Sequence, residues 1–382
     1  MKIPKIRFPG FTEEWEKQRL SNILEFEYGM NTAGKEFDGE NKYIRITDIE
    51  ESSRKFLQTK LVSPEGKVTE KYRVKFGDIL FARTGASTGK TYKYIDHDGK
   101  IYFAGFLIRG RVDKKTSVDF IFYLTLNYKY KSWINVMSMR SGQPGINAKE
   151  YGSYEFRIPK LEEQQKIGDF FMLLDKRIEQ QEQKIALLKD YKKAMMQKIF
   201  SQKIRFKDEN GNDYPDWEEK KFLNIFFSIP SRAYQIFKTE IFSNGKIPVV
   251  DQGKKKVAGY SNEIKKICDK TPCIVFGDHT TELKYIDFPF IIGADGTKIL
   301  RNHIANSTLF LYYLLLENNV EQEGYKRHFS ILTKKSFDIP MIKEQEKIAS
   351  FLSTIDFNIE KQEGILENLK NQKGVLLHKM FI

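Results

Sequence analysis

Apolar residues recur at alternating intervals of four and three through two long stretches of the chain, the spacing of a coiled-coil seam. The first seam is Ile167, Phe171, Leu174, Ile178, Ile185, Leu188, Met195 and Ile199; the second is Ile348, Leu352, Ile355, Ile359, Leu366, Leu369, Leu376 and Met380. Each is interrupted at the same two places, by Gln181 and Lys192 in one and by Gln362 and Lys373 in the other. Two long helices are predicted. Pro159 and Pro340 stand just before them, where a missing N–H costs nothing, and Glu162, Glu163, Glu344 and Glu346 put negative charge near the positive end of each helix dipole. A helix of roughly 40 residues spans ~60 Å, and its apolar stripe has to be buried.

The nearest partner for each stripe is the other, because residues 158–200 return without a gap as residues 339–381, with 17 of 43 positions identical. A chain of two such halves carries an approximate two-fold axis, which duplex DNA can match. Antiparallel packing sets a positions opposite d positions. Only one heptad register then also brings the polar interruptions together, Gln181 with Lys373 and Lys192 with Gln362.

Outside the helices the pattern shortens to apolar runs punctuated by turns. Strands are predicted at 43–46, 79–82, 91–95, 102–108, 247–250, 273–276 and 290–292, and helices at 119–139 and 306–320. The expected fold class is α+β: two mixed α/β domains, residues 1–157 and 201–338, separated by a pair of long antiparallel coiled-coil helices, 158–200 and 339–382, with pseudo-two-fold symmetry. Both domains open on Lys-Ile-Arg-Phe, at 5–8 and 203–206, followed by Trp15 or Trp217 as a packing anchor, and each keeps a Gly-Asp, at 77–78 and 277–278. The middles otherwise diverge, which suits two modules that read different targets.

Charge sharpens this division. The formal net charge of +13 is distributed as +8 in residues 1–157, +2 in 158–200, +3 in 201–338 and 0 in 339–382. A polyanion bound by the divergent parts, and protein contacts made by the helices, follow from that distribution. No apolar run approaches 18 residues and the start, MKIPKIRFPGF, lacks the apolar stretch of a signal peptide, so no membrane partner and a cytoplasmic location are expected. Cys268 and Cys273 have no nearby histidine pair, and structural zinc needs four ligands; they read as small buried groups, with no metal or cofactor expected in this chain.

Candidate DNA contacts cluster in turns. In the first domain the segment 83–90 offers Arg83, Thr84, Ser87, Thr88 and Lys90, with glycines that let the backbone come close. Arginine can pair bidentately with guanine or phosphate, and hydroxyls donate to phosphate. Residues 85–91 are similar to the phosphate-binding loop of nucleotide hydrolases, but they have one residue too few between the glycines and no strand-loop-helix context, so that reading is rejected. Arg140 and Gln143 form a second candidate turn. The second domain offers Lys254, Lys255 and Lys256, then His279 and Thr280, Lys298, and Lys326 and Arg327 beside His328; the lysine and arginine clusters suit phosphates, and His279 and Thr280 could reach base edges. An ordinary surface role is the alternative for each.

With the repeat and both modules in view, the chain resembles the specificity subunit of a type I restriction-modification system, nearly end to end. Gly77-Asp-Ile-Leu80 with Arg83-Thr-Gly85, then Ser141-Gly-Gln-Pro-Gly-Ile-Asn147 leading into Ile158-Pro159, Glu163-Gln164 and Ile167, carry the resemblance. The second copy keeps Ile339-Pro340, Glu344-Gln345 and Ile348 but has His328-Phe-Ser-Ile-Leu332 where the first has its Gly-Gln-Pro-Gly turn. The resemblance implies two target-recognition domains, each reading half of a split, asymmetric double-stranded DNA site, and a helix pair that fixes the gap. Methylation subunits that bind S-adenosylmethionine would dock on the helices, and restriction subunits using ATP and Mg would join them in host defence. The chain itself would be non-catalytic. No Asn/Asp-Pro-Pro-aromatic tetrad, Gly-x-Gly cofactor loop after a strand or zinc-protease helix occurs in it. The other classes in view are a coiled-coil scaffold or adaptor that binds nucleic acid non-specifically and a self-sufficient nuclease or methyltransferase.

Overall fold

The computed structural model describes residues 3–139, 144–303, 306–324 and 326–382. Two helices run from Leu161 to Phe200 (α1) and from Ile342 to Met380 (α2), and every position of the predicted seams is buried or half-buried. The chain folds into two compact units, Met1–Glu182 with Gly364–Ile382, and Gln183–Glu363. Each therefore takes one strand-rich segment and a share of both helices.

Ion pairs within each unit fix the helix direction. In the first, Asp175 pairs with Lys373 (2.5 Å) and Glu182 with Lys370 (2.6 Å); in the second, Lys189 pairs with Glu363 (2.6 Å) and Lys192 with Asp356 (2.6 Å). One number rises as the other falls, so the shares are antiparallel. The expected register set Gln181 opposite Lys373 and Lys192 opposite Gln362; the charges that neutralise the two ammonium ions are those of Asp175 and Asp356. The other oxygen of each aspartate accepts a tyrosine hydroxyl, Tyr123 at 2.9 Å and Tyr313 at 2.7 Å, and each lysine lies over that same ring, at 5.6 and 5.2 Å. Burial first, and the carboxylate second, push both phenols well above their usual range.

Each unit builds the same sheet frame. The first has a four-stranded antiparallel sheet from Leu24–Tyr28 (β1), Asp78–Ala82 (β2), Thr91–Lys93 (β3) and Leu107–Val112 (β4), in the order β1-β4-β2-β3. The second uses Phe226–Ile229 (β5), Cys273–Gly277 (β6), Leu283–Ile286 (β7) and Thr297–Asn302 (β8) in the matching order β5-β8-β6-β7. A parallel pair accompanies each sheet, Lys42–Ile44 with Ile101–Phe103 and Ile247–Val250 with Ile291–Ile292. Cys268 and Cys273 are free thiols inside the second unit's core.

Three sequence expectations change. Gly77-Asp78 opens β2, whereas Gly277 closes β6 with Asp278 beyond it, so the two Gly-Asp pairs sit at opposite ends of equivalent strands. The predicted strand 102–108 is broken at 104–106, where a Cβ on Gly29 would lie 2.2 Å from the Ala104 carbonyl oxygen; two backbones meet there and force a turn. The predicted helix 119–139 is two helices, Val118–Leu124 and Tyr128–Met137, because the Asn127 side chain caps the second by accepting the Tyr130 N–H at 2.8 Å.

The repeated opening segments have a shared physical cause. Arg7 donates from Nε and Nη2 to the Glu163 carboxylate, both at 2.7 Å, and Arg205 donates to Glu344 at 3.3 and 2.8 Å. Both carboxylates are buried. Phe8 packs edge-on against Phe170 and Phe206 against Phe351. The next residue of each helix is also accounted for: Gln164 accepts the Ser117 N–H and donates to the Pro159 carbonyl, while Gln345 accepts from Ser307 and donates to Pro340. Trp15 is buried against Phe120, and Trp217 packs on Phe310 while donating to Glu344, so both act as anchors.

Replacing Arg7 by Met leaves the Glu163 carboxylate buried without its cation, and a loss of about 3 kcal/mol from the first unit is expected. Calorimetric unfolding measures it, and a loss below about 1 kcal/mol would show that the pair is not what secures this segment.

Candidate nucleic-acid interface

The loop after β2 is the connection of a hairpin, since β2 and β3 pair antiparallel. Gly85–Ser87 forms a single tight turn, and Gly89 adopts φ +85° where a Cβ would strike the Ile134 side chain at 2.5 Å, so glycine is required there. A strand follows, not a helix, and the stacked N–H groups of a nucleotide-hydrolase loop have no counterpart.

This loop is clamped to the other candidate turn of the first unit. Gly85 donates to the Pro144 carbonyl at 2.9 Å, the Arg83 carbonyl accepts the Ile146 N–H at 2.9 Å, and Thr84 bridges to Gly145. Segments 83–90 and 144–147 thus form one surface; Arg140 and Gln143 lie outside the described residues. The Arg83 guanidinium sits 5.0 Å over the Tyr28 ring and, among the described residues, has no carboxylate partner. Its charge stays available while its direction is set. Thr88 turns its hydroxyl inward onto the Gly85 carbonyl at 2.7 Å, and Lys90 is ion-paired with Glu51. Those two hold the loop, while Arg83, Thr84 and Ser87 are half-buried beside it.

In the second unit the equivalent connection, between β6 and β7, is Asp278–Glu282, and it contains His279 and Thr280. It too is clamped to a segment ahead of a short helix. The buried Asp278 carboxylate accepts the Phe329 N–H at 2.8 Å, and its main-chain carbonyl accepts the His328 N–H at 2.8 Å. His328 is fully buried, with Nδ1 3.0 Å from the Asp278 carbonyl and Nε2 accepting the Glu323 N–H at 3.0 Å, so it is structural. His279 Nδ1 lies 3.1 Å from the Lys326 carbonyl, which joins the 279–280 and 326–327 candidates into one surface. Arg327 is exposed, Lys326 shares its charge with Glu323, and Lys298 lies over the Phe329 ring at 5.5 Å. Thr280 donates to the Gln252 carbonyl at 2.5 Å and so shapes the turn. Lys254 and Lys255 are exposed, and Lys256 lies 3.7 Å from Asp287 and over Phe288. Lys254 and Lys256 line a cavity shared with Lys192, Tyr313 and Asp356.

Sequence reasoning missed Tyr28, Phe106 and Gln252. Phe106, whose carbonyl accepts the Arg83 N–H at 3.0 Å, was hidden inside a run read as one strand. Gln252 binds the His279 N–H at 3.2 Å and had no local signal.

Comparison with known proteins bears on this surface. A family model described as type I restriction modification DNA specificity domain matches residues 12–190 and again 214–371. The chain is 27% identical to the putative type I restriction enzyme MjaX specificity subunit of Methanocaldococcus jannaschii, across 96% of this chain and 92% of that protein. It is 24% identical to the MjaVIII specificity subunit of the same organism over the same shares. Its fold is similar to the crystal structure of a type I restriction-modification system S subunit from M. genitalium, with a TM-score of 0.65 and 15% identity over 100% of this chain and 99% of that one.

Changing Asp278 to Ala leaves the Phe329 N–H without its acceptor at the clamp, and a stability loss of about 1–3 kcal/mol in the second unit is expected. Denaturant unfolding tests it; an unchanged midpoint would mean that the clamp does not secure this loop.

Proposed function

This chain belongs to the type I restriction-modification DNA specificity family, and from that premise we propose that it reads a split, asymmetric double-stranded DNA site, one half through each unit, while its helices seat methylation subunits. It is a specificity subunit and performs no chemistry of its own. The observation that carries the reading is one frame furnished twice with different side chains. At the same hairpin connection the first unit presents Arg83 on Tyr28, and the second presents His279 held by Gln252. A symmetric site would be matched by two like loops; these are unlike.

Several outward residues of the helices support docking of proteins. Leu173, Leu187, Tyr191 and Phe357 are exposed on α1 and α2, away from the seam. Methylation subunits, carrying S-adenosylmethionine, would cover such surface, and restriction subunits carrying ATP and Mg would complete the complex. No described helix is long and apolar enough to cross a membrane, and a protein that meets chromosomal DNA belongs in the cytoplasm.

Selection from a randomised duplex pool, using the chain with the subunits that copurify from its host, should return a consensus of two blocks separated by a fixed gap. Non-specific retention at every sequence would instead favour a scaffold. Arg83→Ala should relax discrimination in one block only, by about 10- to 100-fold; uniform weakening at all sequences would reduce Arg83 to a phosphate contact. Inserting one heptad into α1 should change the permitted gap or abolish assembly, and an unchanged gap would refute the helices as spacer.

A further inference from the structure

We infer that Phe106 is a specificity-determining residue of the first unit, its ring packing against a thymine methyl group beside the base or phosphate taken by Arg83. The inference rests on the reading of this chain as a DNA reader and adds an apolar contact to it.

Phe106 is 60% exposed, and among the described residues no other ring lies against it. Leaving most of a phenyl ring in water forgoes burial energy, as does the still more exposed Phe76 of the same unit, but Phe106 alone of the two stands beside the Arg83 backbone. The turn that carries the ring is tied down along its backbone. Leu107 donates to the Ala104 carbonyl at 2.8 Å to close the turn, Met30 donates to Phe103 at 2.9 Å, and Gly29 donates to Leu107 at 3.2 Å. A Cβ on Gly105 would meet the Met30 carbonyl oxygen at 3.1 Å, so the two backbones are already in contact. These bonds set the backbone position from which the ring projects before any ligand arrives.

Its position relative to Arg83 is fixed as well. Ala82 and Leu107 are paired across β2 and β4, and the Phe106 carbonyl accepts the Arg83 N–H. Tyr28, 43% exposed, lies under the guanidinium and its own hydroxyl accepts the Ala148 N–H at 3.1 Å. Arginine reads guanine edges or phosphate, whereas a phenyl ring has nothing to donate. The apolar group that the major groove presents to such a ring is the thymine methyl. The corresponding turn of the second unit, residues 293–296, is Gly-Ala-Asp-Gly, with Asp295 accepting from Gln235 and Gln252. No aromatic stands there, so the apolar contact belongs to one half of the site.

The test uses the full chain with its copurifying subunits and the duplex that the wild type selects from a randomised pool. Each thymine is exchanged in turn for deoxyuridine, which removes only the methyl group. The wild type should lose about 10-fold in affinity at one thymine of one block. Phe106→Ala should bind the selected duplex about 10-fold more weakly, be indifferent to that exchange, and bind random duplex as the wild type does. Equal binding of the selected duplex by variant and wild type, equal weakening on random duplex, or a wild type indifferent to every exchange overturns the inference. A wild type that selects no consensus overturns the reading beneath it instead.

Discussion

Two buried carboxylates organise this molecule. Glu163 and Glu344 stand in the first turns of the long helices, out of reach of water, and a charge in that position is tolerated only with a cation and good geometry. Arg7 and Arg205 supply both, and each arginine belongs to the segment that opens a sheet frame. Each frame is thereby bolted to the start of a helix. The two units repeat one further contact: Ile204 donates to the Lys198 carbonyl at the end of α1, and Ile6 donates in the same way to Lys379 at the end of α2. The first segment relates to the last helix as the second segment relates to the first helix, although only the second connection is covalent.

The same logic governs the interruptions of the seams. A lysine in an apolar stripe must find a counter-charge, and in each unit it finds an aspartate that also binds a tyrosine from the short helix packed alongside. Lys373, Asp175 and Tyr123 repeat as Lys192, Asp356 and Tyr313. These clusters join helix to helix and helix to frame in one motif, which accounts for the identity of Asp175 with Asp356 and of Lys192 with Lys373 across the repeat.

On this duplicated support the loops are free to differ. The connection between the last two strands of the sheet order common to both units is tied by backbone hydrogen bonds to a segment ahead of a short helix, Ile146 to Arg83 in the first and His328 to Asp278 in the second, and the Asp278 carboxylate adds a side-chain bond in the second. By these backbone bonds Arg83 occupies the place of Asp278, and Phe106 that of Gly296, with the frame unchanged. Function of this kind resides in loops carried by a rigid scaffold.

The sequence alone determined the long helices, their seams, their duplication and the division into two α+β modules, because helix periodicity and repeated residues are local signals that no later packing alters. It also placed Arg83 and His279 in turns, since glycine and polar residues mark them. Only the tertiary structure decided what those residues do. It showed that Gly77-Asp78 and Gly277-Asp278 are not equivalent, that Lys90 and Thr88 are spent on holding their loop, that His328 is buried, and that Phe106 leaves its strand to stand in water. Three of these depend on a partner distant in sequence: Glu51 for Lys90, Asp278 for His328, and the backbone at Gly29 and Met30 for the turn that exposes Phe106. Strand pairing and side-chain burial are properties of contacts between remote segments, and no spacing along one segment encodes them.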